Sequence, residues 1–128
     1  MAKVLVVDDD QSVREVLVQT LQDAGFEADA EAGGRRALTA LCRATAQDEP
    51  YDAMVLDIIM PGVDGWQVLE AIRSNPLWQD MPVLVISGLV NGAGEVARVS
   101  DYDSFFVEKS GNFVDVIKTA LGRLVNAA

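Results

Sequence analysis

Four short apolar runs punctuate the chain: Val4–Val7, Ala53–Leu56, Pro82–Ile86 and Phe105–Val107. They are β-branched or aromatic in character, too short for helices and unbroken by polar positions, which is the pattern of strands covered on both faces. Between them, apolar residues recur at spacings of three and four. Val13, Val16, Leu17 and Leu21 predict a helix with Gly25 at its C-terminal cap. Leu38, Leu41 and Cys42 mark a second helix that must end before Pro50. Val68, Leu69 and Ile72 mark a third, stopped at Asn75-Pro76, and Val114, Ile117, Leu121 and Leu124 mark the last. A weaker strand, Glu27–Ala32, fits between the first two helices. Alternating strands and helices imply a parallel sheet with helices on both faces, so residues 1–128 are expected to form one doubly wound α/β domain. The stretch Leu89–Asp103 breaks the pattern. Asn91-Gly92-Ala93-Gly94 weakens a helix by about 1 kcal/mol per glycine relative to alanine. Only Val96 and Val99 offer an apolar face there, and a short or mobile fourth helix is predicted.

Composition narrows the chemistry. Half of the 128 residues are hydrophobic and mean hydropathy is +0.18, which excludes a disordered chain. Twenty acidic residues face ten basic ones, for a formal charge of −10. Such a chain repels a nucleic-acid backbone or an anionic membrane, so neither is expected as a direct partner. The single cysteine, Cys42, excludes an internal disulfide framework or a cysteine-based zinc site, and is read as a small core hydrophobe. With no histidine, Ser–His–Asp and Cys–His catalysis and histidine metal sites are excluded as well. No apolar run approaches the ~20 residues of a membrane span, and Met1–Asp8 is too short and too quickly acidic for a signal peptide. A cytoplasmic protein is expected.

In an open parallel sheet the site lies beyond the carboxyl ends of the strands, so the residues that end each run are the informative ones. The first run ends in Asp8-Asp9-Asp10, the second in Asp57, the third in Ser87-Gly88 and the fourth in Glu108-Lys109. Two carboxylates about 4 Å apart repel by ~4 kcal/mol at an effective dielectric of 20. A proton or a cation must relieve that. An all-oxygen cluster selects a hard cation, Mg²⁺ first, with Mn²⁺ and Ca²⁺ as rivals. A divalent ion beside a carboxylate, a hydroxyl and a lysine is phosphoryl-handling chemistry, in which Lys109 and the metal neutralise phosphoryl oxygens and Ser87 hydrogen-bonds another. With no histidine, reactive cysteine site or Walker loop, the nucleophile is a carboxylate forming an acyl phosphate, and Asp57 is the best candidate. Asp57-Ile58-Ile59-Met60-Pro61-Gly62-Val63-Asp64-Gly65 is rich in turn residues, with Asp64 placed to cap the third helix and Asp10 the first.

Along its full length the chain resembles the receiver domain of two-component response regulators. The matching pieces are Val4 to Asp10, Asp57 to Gly65, Pro82 to Gly88 and Phe105 to Lys109, in the same order and at similar separations. The resemblance implies a flavodoxin-like fold of five strands in order 2-1-3-4-5 with five helices. It also implies Mg²⁺-dependent transfer of a phosphoryl group to Asp57 from a histidine kinase or a histidine phosphotransfer protein. By that similarity Asp9 and Asp57 ligate the metal, Asp8 acts through water, and Ile59 contributes its backbone carbonyl. Ser87 and Lys109 contact the phosphoryl group, while Ser87 and Phe106 form the switch pair. The resemblance implies a signalling switch that assists its own phosphoryl transfer and hydrolysis, not a turnover enzyme; the 128 residues are expected to hold one receiver domain, as a complete regulator or as a piece of a longer protein.

The chain departs from the family at two places. Ser110 follows Lys109 where receivers usually carry a proline behind a cis bond. A cis bond without proline costs about 3–4 kcal/mol, so a trans Lys109–Ser110 bond is expected. Ile59 and Leu89 are aliphatic where, in the resembled family, polar residues speed hydrolysis of the acyl phosphate; a long-lived phosphoryl group is expected. Two other functions compete. A receiver-like interaction module that takes no phosphate keeps support from Ser110 and the glycine-rich segment. A small aspartate-nucleophile phosphatase would need an acid/base Asp two positions after the nucleophile, where this chain has Ile59.

Overall fold

The computed structural model describes residues 1–60, 62–88 and 98–125. Five parallel strands, β1 (Lys3–Val7), β2 (Glu27–Glu31), β3 (Ala53–Asp57), β4 (Val83–Ser87) and β5 (Phe105–Glu108), lie in the order β2-β1-β3-β4-β5. Helices α1 (Gln11–Asp23), α2 (Gly34–Ala46) and α3 (Gly65–Ser74) follow the first three strands, and α5 (Phe113–Val125) follows the last. Between β4 and β5, residues 98–101 are helical and are labelled α4. The rest of the stretch predicted as a short or mobile helix, residues 89–97, lies outside the described residues.

The strands lack alternation because both faces are covered. Val4, Val6, Val55, Leu84 and Ile86 pack with Leu17 and Leu21 of α1 and Ile117 and Leu121 of α5. Their neighbours Leu5, Val7, Met54, Leu56 and Val85 pack on the opposite face with Leu41 of α2, Val68, Leu69 and Ile72 of α3 and Val99. The two edge strands are the exceptions: β5 is only partly covered, and β2 keeps acids on its outer positions, which blunts edge-to-edge pairing.

The predicted stop signals have their expected geometry. Gly25, at φ +93°, follows the cap residue Ala24 of α1. Its amide donates to Gln22 O, and that of Phe26 donates to Leu21 O, the paired bonds of a Schellman ending that only a left-handed residue permits. Asp64 and Gln67 form a reciprocal capping box on α3, each side chain accepting the other's amide at 2.9 Å. Arg73, near the end of α3, fastens the approach to β5. Its guanidinium donates to the carbonyls of Tyr102 (2.6 Å), Met81 (2.8 Å) and Gln79 (3.0 Å) and to Ser104 Oγ (3.1 Å).

One reading is corrected. Cys42 is exposed, not a core residue. The buried stripe of α2 runs through Gly34, Ala37, Ala40, Leu41 and Ala44, so the inward face is made of small residues and Cys42 lies beside it. The Lys109–Ser110 bond is trans, as the absence of proline dictates.

Candidate functional site

The strand ends converge. The Asp57 carboxyl closes β3 and Ser87 closes β4, with Lys109 just past β5; the Lys109 amide donates to Ser87 O at 2.8 Å and so ties the last two strand ends together. Asp8 follows β1, its amide still paired with Glu31 O of β2. The chain then turns into α1. Asp8 Oδ1 accepts the Asp10 amide (2.9 Å), and Asp10 in turn caps α1 by accepting the amides of Ser12 (2.9 Å) and Val13 (3.3 Å).

Carboxylate oxygens of Asp8, Asp9 and Asp57 all lie within 4.8 Å of one another. Asp8 is fully buried and Asp57 is 4% exposed, while Asp9 faces solvent. Lys109 Nζ stands 2.7 Å from Asp8 Oδ2 and 3.4 Å from Asp57 Oδ2. A cleft of about 530 Å³ opens above them, lined by Asp9, Asp10, Asp57, Ile59, Gly88 and Lys109.

The electrostatics follow from this arrangement. Burial, and then the charge of Asp8, push the Asp57 carboxyl up from 3.8 to about 6. The Ile59 amide, donating to Asp57 Oδ1 at 3.1 Å, and the Lys109 ammonium oppose that rise without cancelling it. Burial works against the charge on Lys109, but Asp8 and Asp57 outweigh it and hold the ammonium above its ordinary range. One lysine thus faces three carboxylates. The buried Asp8 Oδ2 has the ion contact to Lys109 but accepts no well-angled hydrogen bond. Oxygen-only donors, surplus negative charge and an under-satisfied buried oxygen fit a small divalent cation.

Not every expected residue reaches the cleft. Ser87 is fully buried, and the cleft wall at the end of β4 is Gly88. Phe106 sits mid-strand in β5 opposite Val85, half-buried against the cluster that includes Val99. Ile59 is 49% exposed at the cleft. Leu89 lies outside the described residues.

Two contributors escape the strand-end logic. Arg14 Nη1 donates to the Asp8 carbonyl at 2.8 Å and pins the acidic loop from one turn into α1. Its signal is its position four residues after the capping Asp10, on the turn that faces back to the loop. Gly65 opens α3 against the backbone of Asp57 and Ile58. A Cβ there would overlap Ile58 Cα and lie 2.6 Å from the Asp57 carbonyl oxygen, and the Gly65 amide donates to Ile58 O at 3.1 Å. A glycine immediately after a helix-capping Asp is the trace it leaves in the sequence.

Residues 4–118 match the family model of the response regulator receiver domain. The response regulator MprA of Mycolicibacterium vanbaalenii is 41% identical over 85 residues, 66% of this chain and 34% of that protein. The transcriptional regulatory protein PcoR of Escherichia coli is 29% identical over 117 residues, 91% of this chain and 49% of that protein. The chain therefore spans from about a third to a half of these relatives' length. The chemotaxis response regulator CheY4 of Vibrio cholerae superposes with a TM-score of 0.80 at 32% identity, over 97% of this chain and 98% of that one. The chain belongs to the response regulator receiver domain family, the signalling switches of two-component systems.

Proposed function

We propose that this chain is a phosphorylation-operated switch in which Asp57 accepts a phosphoryl group from the phosphohistidine of a histidine kinase or a histidine phosphotransfer protein. The observation that carries this is a single carboxylate, Asp57, closing a central strand at the floor of an open cleft, clustered with two further carboxylates and 3.4 Å from a lysine. An Asp57 carboxylate oxygen attacks phosphorus, the P–N bond to the donor imidazole breaks, and its electron pair leaves with the imidazole nitrogen. Asp9, Asp57 and the Ile59 carbonyl would hold Mg²⁺, with Asp8 acting through water. When bound, the cation neutralises charge on the acceptor and on the transferring group. Lys109, already between Asp8 and Asp57, pairs with a phosphoryl oxygen once the acyl phosphate has replaced the carboxylate charge. Ser87 turns its hydroxyl to another phosphoryl oxygen past the side-chain-free Gly88, and Phe106 follows Ser87 as the second half of the switch. Mn²⁺ satisfies the same oxygen donors. Asp57 is the stoichiometric acceptor, so the protein is a switch and not a turnover enzyme.

Incubation with acetyl phosphate and Mg²⁺, followed by intact mass measurement, tests this. Wild type should gain the mass of one phosphoryl group and the Asp57→Ala variant none. No gain in wild type supports an interaction module that takes no phosphate.

The cleft also sets how long the phosphoryl group lasts. Hydrolysis requires water in line with the phosphorus, and the half-exposed aliphatic side chain of Ile59 stands at the mouth without a polar atom to hold one. The phosphorylated Ile59→Asn variant should therefore decay several times faster than wild type when excess donor is removed. Equal decay would show that Ile59 does not govern access.

A further inference from the structure

Helix α2 opens on two glycines: Gly33 at the cap, where glycine is well tolerated, and Gly34 in the first turn, where it costs up to about 1 kcal/mol relative to alanine. Neither has a positive φ that would explain it. Gly33, the cap residue, is extended at φ −164°, and a Cβ there would meet nothing within 4 Å. Gly34 is different. It is buried, and a Cβ on it would overlap the Val63 carbonyl oxygen, with Val68 Cγ2 at 2.8 Å and Val63 Cγ1 at 2.9 Å. The first turn of α2 therefore seats directly on the backbone of the segment that joins Asp57 to α3. That segment is gripped at its far end as well, where Gly65 lies against the Asp57 and Ile58 backbone. Ile59 follows the gripped Ile58, and its amide donates to Asp57 Oδ1 at 3.1 Å. Val63 lies two residues before Gly65, whose amide donates to Ile58 O at 3.1 Å, so the seat of α2 on Val63 bears on the Ile58 backbone through the first residue of α3.

We propose that Gly34 is a positioning residue for the acceptor site: by lacking a side chain it lets α2 seat on Val63 and, through Gly65, hold the Ile58 and Ile59 backbone in the geometry that binds the divalent cation. This rests on the phosphoryl-acceptor reading above, and its test is separable from it because the probe is Mg²⁺ alone. Titrating Mg²⁺ into the metal-free protein while following the backbone amide resonances of Ile58 and Ile59 gives a midpoint and a plateau. Gly34→Ala should shift the midpoint to about tenfold higher Mg²⁺, the scale on which supports of metal ligands act, at an unchanged plateau. Gly33→Ala should titrate like wild type. A merely structural role would lower the folded fraction and leave the midpoint in place. Val63→Gly guards against a variant that does not fold; it frees the segment from the loop side without introducing overlap, and should move the midpoint in the same direction. The inference is overturned by folded Gly34→Ala or Val63→Gly protein with the wild-type midpoint, or by wild-type amides that Mg²⁺ does not move. A wild type that binds Mg²⁺ but takes no phosphoryl group overturns the acceptor reading and leaves the role of Gly34 in cation binding to be decided by the same midpoints.

Discussion

In metal-free solution at pH 7, Asp57→Asn is more stable than wild type by about 2–3 kcal/mol, at 1.36 kcal/mol for each pKa unit. The folded protein holds the Asp57 carboxyl at about 6, above the 3.8 it has when solvated. Between those values the folded state binds a proton that the unfolded chain releases. Stability therefore falls as pH rises from about 4 to about 6, and the loss persists above that window. Below pH 4 both states are protonated and the loss disappears. Asparagine is isosteric, accepts the Ile59 amide through its Oδ1 and carries no charge for Asp8 to repel. Urea unfolding in a chelator, repeated from pH 4 to pH 8, should show the two proteins converging at the acid end and separating through pH 6. Adding Mg²⁺ should stabilise wild type far more than the variant, since a ligand that binds only the folded state stabilises it by mass action. A wild type at least as stable as Asp57→Asn at pH 7 in chelator would remove the electrostatic account of the site. The strain that destabilises the resting protein is then the same quantity that drives cation binding.

How far the chain could be read depended on whether a feature is local. The strand runs were legible because burial on both faces leaves nothing but apolar residues, as at Val83–Ile86, whose members are all buried. Glu27–Glu31 was the weakest because an edge strand with acids at Glu27, Asp29 and Glu31 carries no hydrophobic signature on one side. Cys42 misled because spacing alone does not say which of two neighbouring positions turns inward; the small residues Ala37, Ala40 and Ala44 decide the face of α2, and alanines barely register as a hydrophobic stripe. At the site, Asp8, Asp9, Asp57 and Lys109 were legible because a parallel sheet delivers its strand ends to one place. The depth of Ser87, the Arg14 bond to the Asp8 carbonyl and the seat of Gly34 on Val63 were not. Each is a close approach between separate elements, of which local spacing carries at most a faint trace, as with Arg14 four residues after the capping Asp10.

Lys109→Met should cost about 3–5 kcal/mol in chelator at pH 8, the scale on which an ion pair loses one buried partner. The methylene stem is retained, so packing is nearly constant and the loss is the cation that sits 2.7 Å from Asp8 and 3.4 Å from Asp57. The pH dependence identifies the partner. Lys109 is held above its ordinary range and stays charged in the folded state throughout pH 5–8, so any change across that window belongs to the carboxylates. Without the ammonium, Asp57 rises further above about 6, because Lys109 was opposing its shift. A raised carboxyl lowers stability as pH increases through the gap between its unfolded and folded values, so the deficit of Lys109→Met should shrink as pH falls and Asp57 takes up a proton. The same substitution in the Asp57→Asn background should cost less, by more than 1 kcal/mol, because only Asp8 is then left without a cation. Additive effects in that cycle, or a deficit that does not change between pH 8 and pH 5, would mean that Lys109 contributes packing rather than charge to this cluster.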